Sequence, residues 1–163
     1  MGKGWGYVTG EDLTKVKSSV KLVQLLVDIV SKNGNLLLNV GPTADGVIVD
    51  WMRQRLLDVG AWLKINRKAI YGTRHWIRAE DGDLRYTTAG SAFNVIAMSW
   101  PRGATLTIPG DIPVSATSVI RLAGGDNKPL SWRRSDGQIV VTLPAAPPPP
   151  TGGYPVVFTI TPR

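Results

Sequence analysis

Asn35-Leu36-Leu37-Leu38-Asn39-Val40, closed by Gly41-Pro42, is the stretch on which the reading of the fold turns. Three leucines in a row put apolar side chains on both faces of an extended chain, the pattern of a strand buried within a parallel sheet. The flanks agree with that reading. Upstream, Val16, Val20, Val23, Val27 and Val30 recur at three- and four-residue steps, and Leu26 and Ile29 widen the stripe. This spacing predicts an amphipathic helix over about residues 14–32. Ser18 and Ser19 offer capping hydroxyls for a start one turn later, and Asn33-Gly34 supplies a left-handed stop. Downstream, Gly41-Pro42-Thr43-Ala44-Asp45-Gly46 carries loop chemistry, and Met52, Leu56, Val59 and Leu63 mark a second helix at about 49–66. Helix, strand, loop, helix is a piece of an α/β layer.

Past residue 75 the period changes. Short β-type runs near 76–79, 83–88, 92–99, 103–108, 117–122, 130–133, 138–143 and 155–161 alternate with Gly, Pro, Asp and Asn. Asp81-Gly82 and Asp136-Gly137 sit between such runs as hairpin turns. Several short strands at even spacing predict an antiparallel sandwich. Pro147–Pro150 with Thr151-Gly152-Gly153 reads as an extended surface loop before the last strand.

Composition narrows the chemistry. The chain has 163 residues, too few for a complete eight-stranded α/β barrel, which takes about 250. There is no cysteine, so disulfides, thiol nucleophiles and thiolate zinc sites are excluded. His75 is the single histidine, which rules out a histidine-rich metal site, and no cofactor or metal is expected. The formal charge is +7, but the basic residues are scattered and form neither a stripe nor a nucleic-acid motif, so no nucleic-acid partner is expected. No run of 18 apolar residues exists to span a membrane. The start, Met1-Gly2-Lys3-Gly4-Trp5, has no signal-peptide core. The expectation is a soluble protein, cytoplasmic if the chain is complete, with localisation otherwise open.

One strand cannot bury both its faces and also satisfy its own backbone edges. Each buried leucine is worth roughly 1.5–3 kcal/mol, so the 35–40 run needs neighbours. Either the sandwich covers it in an unusual way, or other copies complete the sheet, or the chain is a fragment; a homo-oligomer is the expected arrangement.

The same residues carry a family resemblance. Trp5-Gly6-Tyr7, then Leu22 through Asp28-Ile29-Val30-Ser31-Lys32-Asn33-Gly34-Asn35-Leu36-Leu37-Leu38-Asn39-Val40-Gly41-Pro42, resembles the end of the catalytic barrel of retaining α-L-fucosidases, glycoside hydrolase family 29. Asp45-Gly46, Arg55-Leu56-Leu57, Gly60, Trp62-Leu63 and Ala69-Ile70-Tyr71-Gly72-Thr73-Arg74 continue it. The resemblance implies an α+β chain: a truncated α/β-barrel segment over residues 1–75, then an antiparallel β-sandwich over 76–163. It implies that 35–40 is the last barrel strand, with the loop from Gly41 at the active-site end. The implied substrate is a fucosylated saccharide, hydrolysed without cofactor. It also implies that the family's nucleophilic aspartate and acid/base glutamate precede Trp5-Gly6-Tyr7, so neither is carried over to a residue here. The alternative is a non-catalytic carbohydrate-binding or accessory subunit, or an inactive remnant.

A retaining glycosidase needs two carboxyl groups about 5–5.5 Å apart. The chain offers two glutamates, Glu11 and Glu80, and ten aspartates. Asp45, in the loop beyond the apolar run, and Glu11, after Trp5-Gly6-Tyr7, are the catalytic candidates, although ordinary turn chemistry also explains Asp45 and a solvated helix lead-in explains Glu11. Trp5 is the candidate for stacking on a sugar and Asn39 for hydrogen bonding a hydroxyl. Asp28 and Asp58 read as helix-face charges, Trp51 and Trp62 as core or interface, and His75 as an interdomain hydrogen-bonding group.

Overall fold

The computed structural model describes residues 1–2 and 4–162. Helix α1 (Ser19–Ser31) starts later than residue 14 because Ser18 caps it, accepting a hydrogen bond from the Lys21 amide at 3.2 Å. The residues before it form their own turn around Asp12, whose carboxylate accepts from the Thr14 amide and hydroxyl and pairs with Lys15. Val16 therefore lies outside the helix. At the other end Asn33 (φ 63°) is the left-handed residue, and the Gly34 amide donates to the Ile29 carbonyl at 2.8 Å. Helix α2 (Asp50–Asn66) runs into a 3-10 turn, Arg67–Ala69.

Eight strands follow: β1 (Arg74–Asp81), β2 (Leu84–Ala89), β3 (Ala92–Ala97), β4 (Thr105–Pro109), β5 (Val119–Leu122), β6 (Trp132–Ser135), β7 (Gln138–Thr142) and β8 (Val156–Thr161). All eight expected strands form, with no end displaced by more than two residues. They make two antiparallel sheets, β1-β2-β3-β8-β5 and β4-β7-β6. The Asp136-Gly137 turn joins β6 to β7 with φ of 51° and 73°, the positive pair that a tight two-residue hairpin requires. The proline run is a loop held by β7 and β8.

Alternation along the central strands builds two cores from one sheet. Val95 and Phe158 point into the sandwich, with Ile108, Ile120, Ile139 and Val141. Their sequence neighbours Ile96 and Val157 point the other way, onto Leu22, Val23, Val27, Val59 and Trp62 of the two helices. A buried polar row crosses that outer face. The Thr87 hydroxyl donates to the Ala69 carbonyl, Asn94 Nδ2 to Thr87 Oγ1, and the Thr159 hydroxyl to Asn94 Oδ1, at 2.9, 3.2 and 2.9 Å. At the sandwich mouth Tyr86 stands edge-on to Trp76, and burial pushes its hydroxyl up to about 12.

An ionic cluster fastens α1 to the first hairpin. Arg85 Nε lies 2.6 Å from Asp28, Lys32 bridges Asp28 and Glu80 at 2.9 and 2.8 Å, and Arg85 also reaches Glu80 at 3.1 Å. Burial alone would raise the Asp28 carboxyl, but hydrogen bonds from Lys32 and Arg85 outweigh it and hold it below its usual 3.8. Asp28 is thus a tether to the sheet rather than a solvated helix-face charge. Asp28→Asn is expected to lower stability at pH 7 by about 1–2 kcal/mol, after allowance for solvent screening. A depressed carboxyl contributes stability above its unfolded value and loses it as pH falls through the folded one. The gap between wild type and variant in urea melts should therefore close below about pH 4; a gap unchanged at pH 3 would contradict the assignment.

The apolar run departs from expectation. Residues 35–40 belong to no strand. Among the described residues no backbone forms a strand ladder with it, and a strand exists only through its ladder. Leu38 packs partly against the helix-side core, whereas Leu37 is 76% exposed. The run is not buried on both faces within a single chain.

Candidate functional site

The segment Trp5-Gly6-Tyr7 lies along Asn39-Val40-Gly41. Asn39 Nδ2 donates to the Trp5 carbonyl, and the Met1 ammonium donates to the Asn39 carbonyl at 3.1 Å. Gly41 is buried at the crossing: a methyl group there would stand 2.5 Å from the Tyr7 nitrogen and 2.6 Å from the Gly6 carbonyl oxygen. Only a glycine lets the two backbones approach so closely. Beneath them, the Gly41 amide meets Met52 Sδ of α2 at 3.4 Å, which anchors the crossing to the helix.

This crossing opens a small recess of about 210 Å³ lined by Met1, Gly2, Gly4, Trp5, Leu37 and Asn39. Trp5 is 72% exposed there, so its ring is accessible for stacking. Asn39 spends its amide on the Trp5 carbonyl, which ties the two backbone segments together. The Glu11 side chain packs against Gly2, on the border of the recess.

Asp45 is placed elsewhere. It is exposed in a turn closed by the Gly46 amide on the Thr43 carbonyl (2.9 Å) and by the Val47 amide on Thr43 Oγ1 (3.2 Å). Gly46 has φ 78°, so Ala44-Asp45-Gly46 is ordinary turn chemistry. The structure brings Trp5, Asn39 and Glu11 to one place and leaves Asp45 outside the recess lining. His75 is exposed at the start of β1, opposite Thr87. Trp51 is half-buried under the Arg55 guanidinium, 5.1 Å from the ring centre, and Trp62 is buried. Among the described residues, no three His, Asp or Glu side chains converge as metal ligands, and no helix is long and apolar enough to cross a membrane.

The approach of Gly6 to Gly41 was not legible from spacing, because 35 residues separate them. The two glycines are a signal only once the segments are known to be neighbours.

Two helices and an apolar segment, set on one face of a two-sheet β domain, match the C-terminal part of solved α-L-fucosidase structures. Residues 1–68 match the family model described as Alpha-L-fucosidase, and over that stretch the chain belongs to the α-L-fucosidase family. Tissue α-L-fucosidases of Bos taurus and Homo sapiens are each 38% identical to it, over 90% and 88% of this chain and 31% of their own length. The crystal structure of a Thermotoga maritima α-fucosidase with a mechanism-based inhibitor superposes with a TM-score of 0.84 at 34% identity, over 96% of this chain and 37% of that one. The chain thus spans about a third of the length of the relatives it matches.

Proposed function

We propose that this chain acts in the hydrolysis of terminal α-L-fucosides, and that it does so as a homo-oligomer in which neighbouring copies cover residues 35–40. The observation that carries the reading is the meeting of Trp5-Gly6-Tyr7 with Asn39-Val40-Gly41: the two segments where the family resemblance is most specific converge on one recess. A T. maritima relative has been solved with fucose, which supports the substrate class. Trp5 would stack on the apolar face of the sugar, its backbone tied to Asn39. Glu11, on the border of the recess, is the better placed of the two carboxylates for proton transfer. Asp45 lies outside the recess of its own chain, so its part in a pair about 5–5.5 Å apart is assigned across a copy-to-copy contact. The exposure of Leu37, Val47 and Leu57 supports an assembly that buries them.

The alternative, a carbohydrate-binding or accessory subunit without turnover, is favoured by the same displacement of Asp45. The deciding experiment is chromophore release from an aryl α-L-fucoside by the purified chain, read together with its sedimentation. Turnover that appears with self-association, and falls by at least about 100-fold in Glu11→Gln and in Asp45→Asn, is the expected result. Turnover unchanged in both variants would remove the carboxylate assignment. Fucose binding with no turnover would establish the accessory reading, and a monomer at low micromolar concentration would remove the oligomer.

A further inference from the structure

A second cleft opens between the 3-10 turn Arg67–Ala69 and the β5–β8 edge of the larger sheet. Its volume is about 310 Å³, within the range of small-molecule sites and near its lower end. Its polar lining is Asn66, Lys68, Arg121, Asn127, Thr159 and Thr161; no carboxylate lines it.

The charges there are uncompensated. Five cations of the molecule sit beside acids, Lys15 with Asp12, Lys32 and Arg85 with Asp28 and Glu80, Arg78 with Asp111, and Lys128 with Asp126, whereas most of the other described cations are unpaired. Among the described residues neither Lys68 nor Arg121 joins such a pair. Arg121 is held by its Nε, which donates to the Asn127 carbonyl at 3.2 Å. That bond orients the guanidinium and leaves its two terminal nitrogens without a partner among the described residues. A planar fork held this way suits two oxygens of one oxyanion. The floor is rigid as well. Thr159 donates its hydroxyl inward to Asn94, in the buried row that continues to Thr87, and Asn66 is nearly fully buried with its amide on the Trp62 carbonyl.

We infer that this cleft binds a monosaccharide unit bearing an oxyanion, a sulfate ester or a carboxylate, with Arg121 and Lys68 as the anion-binding side chains. A bare sulfate would leave most of the cleft empty, and Thr161 and Asn127 offer polar groups to the sugar hydroxyls. The saccharide part of the inference rests on the glycoside hydrolase reading; the anion part does not.

The test is calorimetric or NMR titration of the 163-residue chain at low salt with galactose 6-sulfate, galacturonic acid, galactose and inorganic sulfate. Saturable binding of at least one charged sugar, about tenfold or more tighter than galactose, is the expected result. It should weaken about five- to tenfold in Arg121→Gln and in Lys68→Gln, and again when salt is raised so that screening shortens. Lys68 is exposed and its side chain makes no hydrogen bond or ion pair among the described residues, so its variant separates anion binding from any disturbance of the Asn127 loop. The two charged sugars distinguish ester from carboxylate. Equal affinity for galactose, no saturable binding, or both variants binding like wild type would overturn the inference. Inorganic sulfate binding as tightly as the sulfated sugar would overturn its saccharide part. Hydrolysis of the aryl fucoside is a separate readout, and its failure leaves these outcomes unaltered.

Discussion

Replacing Trp62 by alanine should leave the chain barely folded. The side chain is fully buried and lies in α2 where both helices meet the outer face of the sheet, among Leu22, Val23, Val27, Ile96 and Val157. Its Nε1 donates to the Pro155 carbonyl at 2.8 Å, just before β8 begins. Truncating a buried tryptophan removes about 3–5 kcal/mol through lost transfer energy and the cavity left behind. Stranding a buried carbonyl adds about 1–3 kcal/mol. Domains of this kind have only about 5–15 kcal/mol in total. Equilibrium urea unfolding should show the midpoint collapsing in Trp62→Ala, while Trp62→Phe, which keeps most of the packing and loses the hydrogen bond, falls between. A loss below about 1 kcal/mol in the alanine variant would show that the helices are not held to the sheet by this residue.

Gly41→Ala should act locally and strongly. The added methyl would stand 2.5 Å from the Tyr7 nitrogen and 2.6 Å from the Gly6 oxygen, so a backbone must move. Neither contact is the far end of a flexible side chain that could swing away. The Asn39 to Trp5 bond, a few atoms along, would be pulled apart with it. Nuclear Overhauser contacts between Gly41 and the Tyr7 amide should disappear, while contacts within the two sheets persist. If the recess supports turnover in the assembly, displacement of Trp5 by about 1 Å should lower it by about 100-fold. Persistence of the Gly41–Tyr7 contacts in the variant would mean that the crossing tolerates a side chain.

Much of the fold was legible because it is written in local period. The strands announced themselves by alternation and by Asp-Gly turns, and the helices by the valine stripe and by Met52, Val59 and Leu63. The start of α1 was readable only as a choice, since Val16 continues the stripe that Ser18 interrupts; the capping hydrogen bond, not hydrophobic spacing, sets the boundary. Leu36-Leu37-Leu38 misled on structure because composition states what a segment needs, not what lies beside it. The site was less legible. Trp5 and Asn39, separate candidates in the sequence, are bonded; Asp45 lies in the exposed turn that its Ala-Asp-Gly setting also predicts; and Asp28 is tied to the sheet, which no helix-face pattern shows. The Asp28–Arg85 pair joins residues 57 apart in sequence, and no periodicity encodes a contact of that kind.

The alternation of Val95 with Ile96, and of Phe158 with Val157, has a bearing on how such a chain can change over generations. Adjacent residues on β3 and β8 serve different layers, so drift in the sandwich interior and drift beneath the helices are read out on the same two strands. The sheet cannot be exchanged for a foreign one without also supplying the outer face that the helices recognise. Residue 75 is where the rhythm of the sequence changes, yet one buried core straddles it: a helical pair together with the sheet that fits it.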